Sequence, residues 1–586
     1  MDDIEMYWGS WFLNGWTFTA FSILLGFIAI RRVLLPKPLA GIPYNEKAAS
    51  HVFGDIPEMM GYVLRTKRIF CWLTSLTTRH RSPIVQAFIK PGSLPWVVLT
   101  DPFESQDILL RRKEFDRSSF FGELIGGILP EQHIQFRSAD PKFKRPRNLI
   151  NHLMAPTFIT QVSAPEVYKS ISTLIKVWQV KCEQAKGRPF SAHHDITHAA
   201  LDSIFASSFG LPESQSITMQ QLNAVEHSAP EILGGTDEET VFAEGTIPDL
   251  FAAVLALTNS VTDTQLSPAP VLTSWVLRKF PYMKKATAVK DGYIRDRITE
   301  SVQLIEGGKT EPWSALHSVL LREREVAVKE NRKPDYYKRS IFDEFFGFMM
   351  AGHDTSATAM AWGVKYLADN PASQDRLRNA LRAALPEAVK EKRAPTYQEL
   401  IKAHVPYLDA MVEEVLRHSG PIAFVVREAL QDTTVLGRHI PKGTNVFLMA
   451  NGPGYLEHNM PVDDNSRSPG ARRDQNKALT GAWADGDIAA FRPERWLKND
   501  GKNDGNAKDE SDGVFDPMAG PTLAFGLGPR GCFGKRLGLQ TLKIEFALIV
   551  WHFQLLPLPA KLNEYEGIQR FAREPTQCYV RLKNVV

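Results

Sequence analysis

Cysteine is scarce in this chain, with four residues among 586, at positions 71, 182, 532 and 578. They lie far apart and form no Cys-x-x-Cys pair, which argues against a disulfide framework and a structural zinc site. The chain also lacks a large excess of charge of either sign, since 69 basic residues and 66 acidic ones leave a net charge of +3. That balance argues against a nucleic-acid binder. A hydrophobic content of 44% is ordinary for a soluble globular protein with a large core.

One long apolar run lies at the N-terminus, from Trp11 to Ile30, interrupted by Asn14 and a few small polar residues. As a helix it would rise about 30 Å, the thickness of a bilayer core. Three basic residues follow in 31–37 and three acidic ones precede it, which predicts that the C-terminal side lies in the cytosol. We therefore expect a single-pass membrane anchor at 1–35 and a catalytic domain at 36–586. A buried core helix is the alternative reading of the run.

Hydrophobic periodicity predicts a mainly α protein with a minor β portion. Residues 84–89 and 96–100 indicate two strands, and most of residues 140–420 indicates helices. Two stretches, 462–488 and 499–516, are rich in polar and small residues and poor in apolar ones. We expect both to be solvated surface insertions.

The densest motif occupies residues 525–534, which read Phe-Gly-Leu-Gly-Pro-Arg-Gly-Cys-Phe-Gly, and a helical pattern follows to Phe553. A cysteine binds a metal as the thiolate, and the free thiol has a pKa near ~8.5. Cys532 would gain from the positive end of the helix dipole and from N–H groups of the glycine-rich loop. Arg530 offers a fixed cation for a carboxylate, and Phe525 offers an apolar wall. The alternative is a glycine-rich turn with an incidental buried cysteine.

This segment resembles the cysteine-ligand loop of the cytochrome P450 family, in which the cysteine is the proximal ligand of the haem iron. The resemblance implies a cytochrome P450-like fold with an N-terminal transmembrane helix, and haem b (iron protoporphyrin IX) as the cofactor. It makes Cys532 the iron ligand, and it makes Phe525, Arg530 and Gly534 haem contacts.

A second motif, Ala351-Gly352-His353-Asp354-Thr355, lies in a predicted helix over about 341–368. It is similar to the family's oxygen-activation motif, which implies that Asp354 and Thr355 deliver protons to bound dioxygen. Such proton transfer needs an acid and a hydroxyl within hydrogen-bond reach. A simple alternative is that both residues are solvated or bonded to their own helix. His353 occupies a slot that varies in the family.

A third motif places Glu414 and Arg417 at i and i+3 of a helix, where their side chains meet. A fourth, Phe-Arg-Pro-Glu-Arg-Trp at 491–496, supplies Arg495. In the family, residues at these positions form a Glu-Arg-Arg cluster, which implies a structural cluster of Glu414, Arg417 and Arg495 behind the cysteine loop.

Two further arginines, Arg147 and Arg427, are candidate partners of the haem propionates. Where the family usually has a tryptophan four residues before the first of these, this chain has Phe143. A hydrogen bond from an indole to a propionate is therefore absent. A solvated basic helix face is the alternative for each arginine.

The resemblance implies a haem-thiolate monooxygenase that uses O2 and two electrons to oxidise a small apolar substrate. Because the sequence shows no flavin or nicotinamide domain, electrons must come from outside. The expected membrane anchor implies the microsomal class of the family, which resembles proteins served by NADPH–cytochrome P450 reductase. The enzyme would lie in the endoplasmic reticulum membrane, with the catalytic domain facing the cytosol. A basic docking face could comprise Lys142, Lys144, Arg145, Lys535 and Arg536.

The expected pocket walls are residues 120–129, the segment before Asp354, residues 422–426 and the turn near Phe571. The polar insertions and the stretch at 41–45 resemble filamentous-fungal members, many of which act in secondary metabolism. Two alternatives remain open: a haem-thiolate isomerase or dehydratase that needs no external electrons, and a non-catalytic haem-binding membrane protein.

Overall fold

The structure is a computed structural model that describes residues 3–473, 479–498 and 513–585, with side chains from residue 18 onward other than residue 485. Helices dominate these ranges. They are α1 (Asp3–Leu34), α2 (Glu46–Ala49), α3 (Ile56–Thr66), α4 (Ile69–His80), α5 (Pro102–Leu110), α6 (Phe120–Ile125), α7 (Pro141–Ile150), α8 (Pro156–Phe158), α9 (Ala164–Ala185), α10 (His193–Phe209), α11 (Ile217–Glu226), α12 (Asp249–Gln265), α13 (Pro270–Leu277), α14 (Pro281–Glu306), α15 (Ala315–Lys329), α16 (Arg339–Asp369), α17 (Pro371–Ala384), α18 (Pro386–Lys390), α19 (Tyr397–Lys402), α20 (Pro406–Ser419) and α21 (Lys535–His552).

The strands are short and form a minor part of the fold, as expected. They are β1 (Ile84–Ala87), β2 (Trp96–Leu99), β3 (Phe115–Arg117), β4 (Phe190–Ser191), β5 (Glu231–Ile232), β6 (Thr240–Val241), β7 (Phe424–Ala429), β8 (Thr433–Val435), β9 (Arg438–Ile440), β10 (Asn445–Met449), β11 (Leu497–Lys498), β12 (Val514–Phe515), β13 (Phe553–Leu555), β14 (Gly567–Gln569), β15 (Arg573–Pro575), β16 (Tyr579–Val580) and β17 (Leu582–Asn584).

A five-stranded sheet in the order β1-β2-β10-β7-β3 joins the early and late parts of the chain. The two strands predicted at 84–89 and 96–100 are confirmed as β1 and β2, which form an antiparallel pair with Ile84 opposite Leu99. Strand β10 runs parallel to β2 and antiparallel to β7. The pairing of β3 with β7 places residues 115–117 beside residues 427–429, although more than 300 residues separate them in the sequence.

Helix α16 is the central element of the helical body. It packs against α10, α20 and α21, and the β15 strand also contacts it. Its apolar face at Phe342, Phe345, Phe346 and Met349 is buried, as the i, i+3, i+4, i+7 pattern predicts. The core is therefore built around the helix that carries the Asp354–Thr355 pair.

The N-terminal run forms α1, but the expected membrane-spanning helix is not supported. Among the residues whose side chains are described, which begin at Phe18, no helix combines the length and the apolar character needed to cross a bilayer. The first part of the expected span, residues 11–17, lies outside that set. The end of α1 meets the rest of the protein, because the Gly92 N–H donates to the Leu34 carbonyl at 3.1 Å.

The first polar stretch, 462–488, was expected to be a solvated surface insertion, and a few of its described residues are buried instead. Arg467 is buried and donates to Asp101 at 2.6 Å, where Asp101 also caps α5. Trp483 is buried against Trp496, with ring centroids 4.8 Å apart. The composition of the stretch did not predict this burial, because a few buried side chains are enough to hold a largely polar segment against the protein. Most of the second stretch, 499–512, lies outside the described residues.

Candidate functional site: a cysteine-bearing cavity with buried arginines

The cysteine loop is shaped by two glycines with left-handed backbone. Gly526 has φ +58° and Gly528 has φ +68°, conformations that other residues rarely adopt. A Cβ at Gly528 would lie 2.2 Å from the Leu109 carbonyl oxygen, so this glycine allows the loop to pack against the end of α5. The resemblance implied that Gly534 contacts the haem. At Gly534, where a Cβ would meet nothing within 4 Å, the open space is compatible with that role.

Cys532 sits on the wall of a cavity just before α21. Its N–H donates to the Phe525 carbonyl at 2.7 Å, which holds the loop closed. The side chain is exposed to the cavity, although protein surrounds the thiol on its other sides. Burial raises the pKa of Cys532, while the N–H groups of Gly534 and Lys535 and the charge of Arg147 oppose the rise. The expected stabilising groups are present, but a thiolate here still needs a nearby cation, which a coordinated metal ion supplies.

Aromatic rings frame the cysteine on both flanks. Phe533 stacks on Phe348 of α16, with centroids 5.7 Å apart and planes 7° apart. The Arg147 guanidinium lies 4.4 Å above the Phe533 ring. Phe525 lines the cavity and packs beside Gly538 of α21. The predicted Phe525 wall is therefore in place.

The predicted Arg147, Arg427 and Arg530 reach the same cavity, and so does Arg117 on β3. Arg530 donates to the carbonyls of Ile134 and Phe136 at 3.1 and 2.9 Å. Its Nε and Nη1 atoms are buried without a hydrogen-bond partner, and so is Arg117 Nε. The sequence analysis missed Arg117, because a lone arginine in a three-residue strand carries no motif.

These arginines lack enough nearby negative charge. Burial lowers the pKa values of Arg427 and Arg530 to about 10 and that of Arg117 well below its usual range, and mutual repulsion adds to the effect. Asp116 is the carboxylate that offsets these shifts among the described residues. Buried donors without partners are costly unless a ligand satisfies them. The cluster fits a ligand with carboxylates, such as the two propionates of a haem.

Phe143 holds the position where the family usually has tryptophan. The Arg530 guanidinium lies 3.8 Å above its ring centroid. The ring thus orients Arg530 rather than donating a hydrogen bond of its own. His133 also borders the cavity, and its Nδ1 lies 2.7 Å from Glu344 Oε2. Sequence reasoning did not single out His133, since nothing in its local pattern marks a ligand contact.

The cavity has a volume of about 390 Å³ and mostly apolar walls. All four segments expected to form the pocket contribute. Phe121, Leu124, Ile125 and Leu129 come from the first, and residues 347, 348 and 350–352 come from the segment before Asp354. Residues 422–425 and Phe571 provide the third and fourth. The cysteine loop and these apolar walls thereby line one continuous cavity.

The Asp354–Thr355 pair divides between two environments. Thr355 lines the cavity, and its hydroxyl donates to the Ala351 carbonyl at 2.8 Å. Asp354 is absent from the cavity wall and accepts a hydrogen bond from the Ala572 N–H at 2.9 Å. Burial raises the pKa of Asp354, and the neighbouring His353 opposes this. His353 is buried with its Nδ1 2.6 Å from the Met349 carbonyl, which is compatible with a structural position.

The predicted Glu-Arg-Arg cluster is assembled in the core. Arg417 donates to both oxygens of Glu414, at 2.9 and 2.8 Å, and Arg495 donates to Glu414 Oε1 at 3.1 Å. Trp496 Nε1 donates to Glu414 Oε2 at 2.9 Å, a contact the sequence did not reveal. Burial alone would raise the pKa of Glu414, but the bonds from Arg417 and His418 hold it well below its usual range.

Comparison with known proteins agrees with this geometry. The profile of the family described as Cytochrome P450 matches residues 73–455 and 489–581. The chain is 36% identical to cytochrome P450 monooxygenase TRI13 of Fusarium sporotrichioides, over 96% of this chain and 98% of that one. It is 31% identical to cytochrome P450 monooxygenase xilC of Penicillium rubens, over 96% and 95%.

A solved structure with the same fold is the cytochrome P450DA haem domain. It superposes with a TM-score of 0.64 at 16% identity, covering 94% of this chain and 99% of that one. At that identity the likeness concerns the fold alone. The fold, the cysteine loop and the full-length relatives agree, and the chain therefore belongs to the cytochrome P450 family as an oxidoreductase of the monooxygenase type.

Proposed function

We propose that this protein is a haem-thiolate monooxygenase that inserts one oxygen atom of O2 into a small apolar organic substrate. The observation that carries the proposal is that Cys532 and Thr355 line one apolar cavity. Cys532 can bind an iron, and the Thr355 hydroxyl can accept and donate a proton. The cavity leaves room for a substrate between its walls. When bound, haem b supplies the redox chemistry that splits dioxygen.

Cys532 would bind the iron and the buried arginines would bind the propionates. Arg117, Arg427, Arg530 and Arg147 all reach the cavity, and the first and third have partnerless buried nitrogens. Charge-assisted bonds to carboxylates would satisfy these donors. Phe525 and Gly534 would flank the ring without obstructing it.

The substrate would bind among Phe121, Phe348, Phe424 and Phe571. These walls exclude water and offer dispersion contacts to an uncharged molecule. Relatives from Fusarium and Penicillium support a role in fungal secondary metabolism. Thr355 would hold a proton at its hydroxyl on the cavity side, and Asp354 would resupply it from behind.

Electrons would come from NADPH–cytochrome P450 reductase. Lys142, Lys144 and Arg145 on α7 are exposed, as are Lys535 and Arg536 at the start of α21. Arg536 donates to the Met154 carbonyl at 3.2 Å, so the start of α21 touches the segment that follows α7. A basic face beside the cysteine loop suits an acidic redox partner.

Residues 1–35 would attach the catalytic domain, 36–586, to the cytosolic side of the endoplasmic reticulum membrane. On α1, Phe18, Phe21 and Phe27 are exposed, and on α13 so are Leu272 and Trp275. Exposed apolar side chains of this density favour contact with a lipid surface. Flotation with phosphatidylcholine vesicles tests this, and a variant lacking residues 1–34 should float less.

Two other functions were considered from the sequence, an isomerase or dehydratase without external electrons and a non-catalytic haem protein. The cavity position of Thr355 favours the monooxygenase, because neither alternative needs a proton-handling hydroxyl there.

The test is oxygen incorporation by the haem-loaded protein. The protein, the reductase and NADPH are incubated under isotopically labelled O2 with a panel of uncharged apolar molecules. The proposal predicts a product that carries one labelled oxygen atom and depends on NADPH. A rearranged product formed without NADPH would identify the isomerase. Full haem loading with no NADPH-dependent product from any substrate would favour the non-catalytic protein.

A further inference from the structure

His133 is a polar group on the cavity wall that the proposed function does not use. It begins a short 3-10 helix (His133–Gln135), is buried, and borders the cavity. One ring nitrogen, Nδ1, lies 2.7 Å from Glu344 Oε2 on α16. The described residues include no hydrogen-bond partner for the other nitrogen, Nε2. The ring is thus held on one side and has Nε2 left for a ligand in the cavity.

Glu344 fixes the orientation of the His133 ring. The His133 backbone N–H donates to Glu344 Oε1 at 2.7 Å, while the ring lies against Oε2. The preceding segment is tied to the same helix, because the Glu131 N–H donates to Asp343 Oδ2 at 2.7 Å. These backbone bonds already attach the segment to α16, so attachment alone does not require an imidazole. The contact with Nδ1 adds a defined direction for Nε2.

The His133 ring lies between two phenylalanine rings that support arginines. Its centroid is 5.7 Å from the Phe143 centroid and 6.4 Å from the Phe533 centroid. Arg530 lies above the first of these rings and Arg147 above the second. All five side chains border the cavity. A carboxylate that binds either arginine would therefore lie on the same side of the cavity as His133.

The pair with Glu344 also suits His133 to an anionic ligand. The ring can donate from Nδ1 to Glu344 and from Nε2 to a ligand at the same time only as the imidazolium. The Glu344 carboxylate balances that charge, so the buried cation has a partner. A carboxylate in the cavity would then accept a charge-assisted bond, which is stronger than a bond from a neutral donor.

We propose that His133 donates a hydrogen bond from Nε2 to a haem propionate, with Glu344 as its positioning residue. The inference rests on the proposed function, because it assumes that haem occupies the cavity with its propionates among the arginines. It adds to the arginine cluster a donor that is held by α16, the helix that also carries Thr355.

The test measures haem loss from variants of the haem-loaded protein to a scavenging protein. His133→Phe keeps a ring of similar shape without a donor, and His133→Gln keeps a side-chain N–H. His194→Phe is the matched control, because His194 Nδ1 also lies 2.7 Å from a glutamate, Glu244, but outside the cavity wall. We expect haem to leave His133→Phe about tenfold faster or more, since a bond to a charged group is lost. His133→Gln should recover part of the retention, and His194→Phe should match the wild type.

Resonance Raman spectroscopy gives a readout that a purely structural role would not change. The propionate bending bands respond to hydrogen bonding, so one of them should shift in His133→Phe and stay near its wild-type frequency in His133→Gln. The reduction potential of His133→Phe should also become more negative, because the reduced haem carries one more negative charge and has lost a nearby donor. Faster haem loss with unchanged propionate bands would assign His133 to packing and overturn the proposed bond.

The spectrum of the reduced, carbon-monoxide-bound protein separates this inference from the proposed function. If the wild type shows the band of thiolate ligation and His133→Phe matches His194→Phe in haem loss and Raman bands, the His133 bond is wrong and the proposed function stands. If the wild type does not bind haem with thiolate ligation, the proposed function fails and the inference fails with it.

Discussion

Arg117 on β3 and Arg427 on β7 are directly opposite residues of an antiparallel strand pair, and both side chains are buried. Like charges in this arrangement destabilise a sheet. The protein keeps both, together with Arg530, on the wall of the cavity that Cys532 borders. The repulsion is explained if the cluster is completed by an anionic ligand, as haem propionates would be.

Replacing Arg117 should separate cofactor retention from folding. In Arg117→Leu, we expect haem to dissociate about tenfold faster or more, because a bond to a charged group contributes about 1.5–3 kcal/mol. The haem-free variant should be as stable as the haem-free wild type or more stable, since it lacks a buried donor without a partner. Haem transfer to a scavenging protein and thermal unfolding provide the two measurements. Arg65→Leu, on the exposed side of α3, is the control, and equal haem loss in both variants would contradict the assignment.

Thr355 should couple electron use to product formation. In Thr355→Ala we expect NADPH consumption to continue while a larger share of it yields hydrogen peroxide, because the cavity loses its proton-handling hydroxyl. Peroxide and product are measured against NADPH consumed. Thr358→Ala is the matched control, since Thr358 is buried on the same helix away from the cavity wall. Unchanged coupling in Thr355→Ala would remove Thr355 from the mechanism.

Glu414 should be essential for stability rather than for chemistry. Glu414→Ala leaves Arg417 and Arg495 buried without their shared carboxylate, and removal of one member of such a cluster costs about 3–5 kcal/mol. We expect a clear fall in the unfolding temperature and in haem content. Glu387→Ala, at an exposed site on α18, should change neither. A Glu414→Ala protein as stable as the wild type would show that the cluster is dispensable.

Glu545 on α21 should give the protein a distinctive pH dependence. It is buried, neither of its carboxylate oxygens has a hydrogen-bond partner, and burial raises its pKa from 4.5 to about 8. The folded protein thus holds a proton that the unfolded chain releases above pH 4.5, so stability falls as pH rises from about 4.5 to about 8. Glu545→Gln removes this contribution. Its unfolding temperature should exceed that of the wild type at pH 9 by more than at pH 5, and parallel pH curves would contradict the assignment.

The sequence predicted the parts of the site that lie in contiguous motifs. Cys532, Phe525 and Arg530 share one loop, and the partners of Glu414 lie in two short motifs, so the residue types and spacing were sufficient. Arg117 was missed because its role depends on the pairing of β3 with β7, which no local pattern reveals. The same limit applies to Arg467, whose bond to Asp101 joins residues 366 positions apart.

The sequence also could not predict that Thr355 lines the cavity while Asp354 does not. Adjacent residues on a helix point about 100° apart, so only one of the pair can face the cavity directly. Which one does so depends on the hairpin of β14 and β15, where the Ala572 N–H holds Asp354. That hairpin lies more than 200 residues further along the chain, and its position comes from tertiary packing.

The central claim is that Cys532 binds the haem iron, and the absorption spectrum of the reduced, carbon-monoxide-bound protein tests it most directly. Wild type and Cys182→Ala, which alters a cysteine outside the cavity wall, should both show the red-shifted Soret band typical of thiolate ligation. Cys532→Ala should lose that band. A red-shifted band that persists in Cys532→Ala, or a wild-type band typical of histidine ligation, would contradict the account.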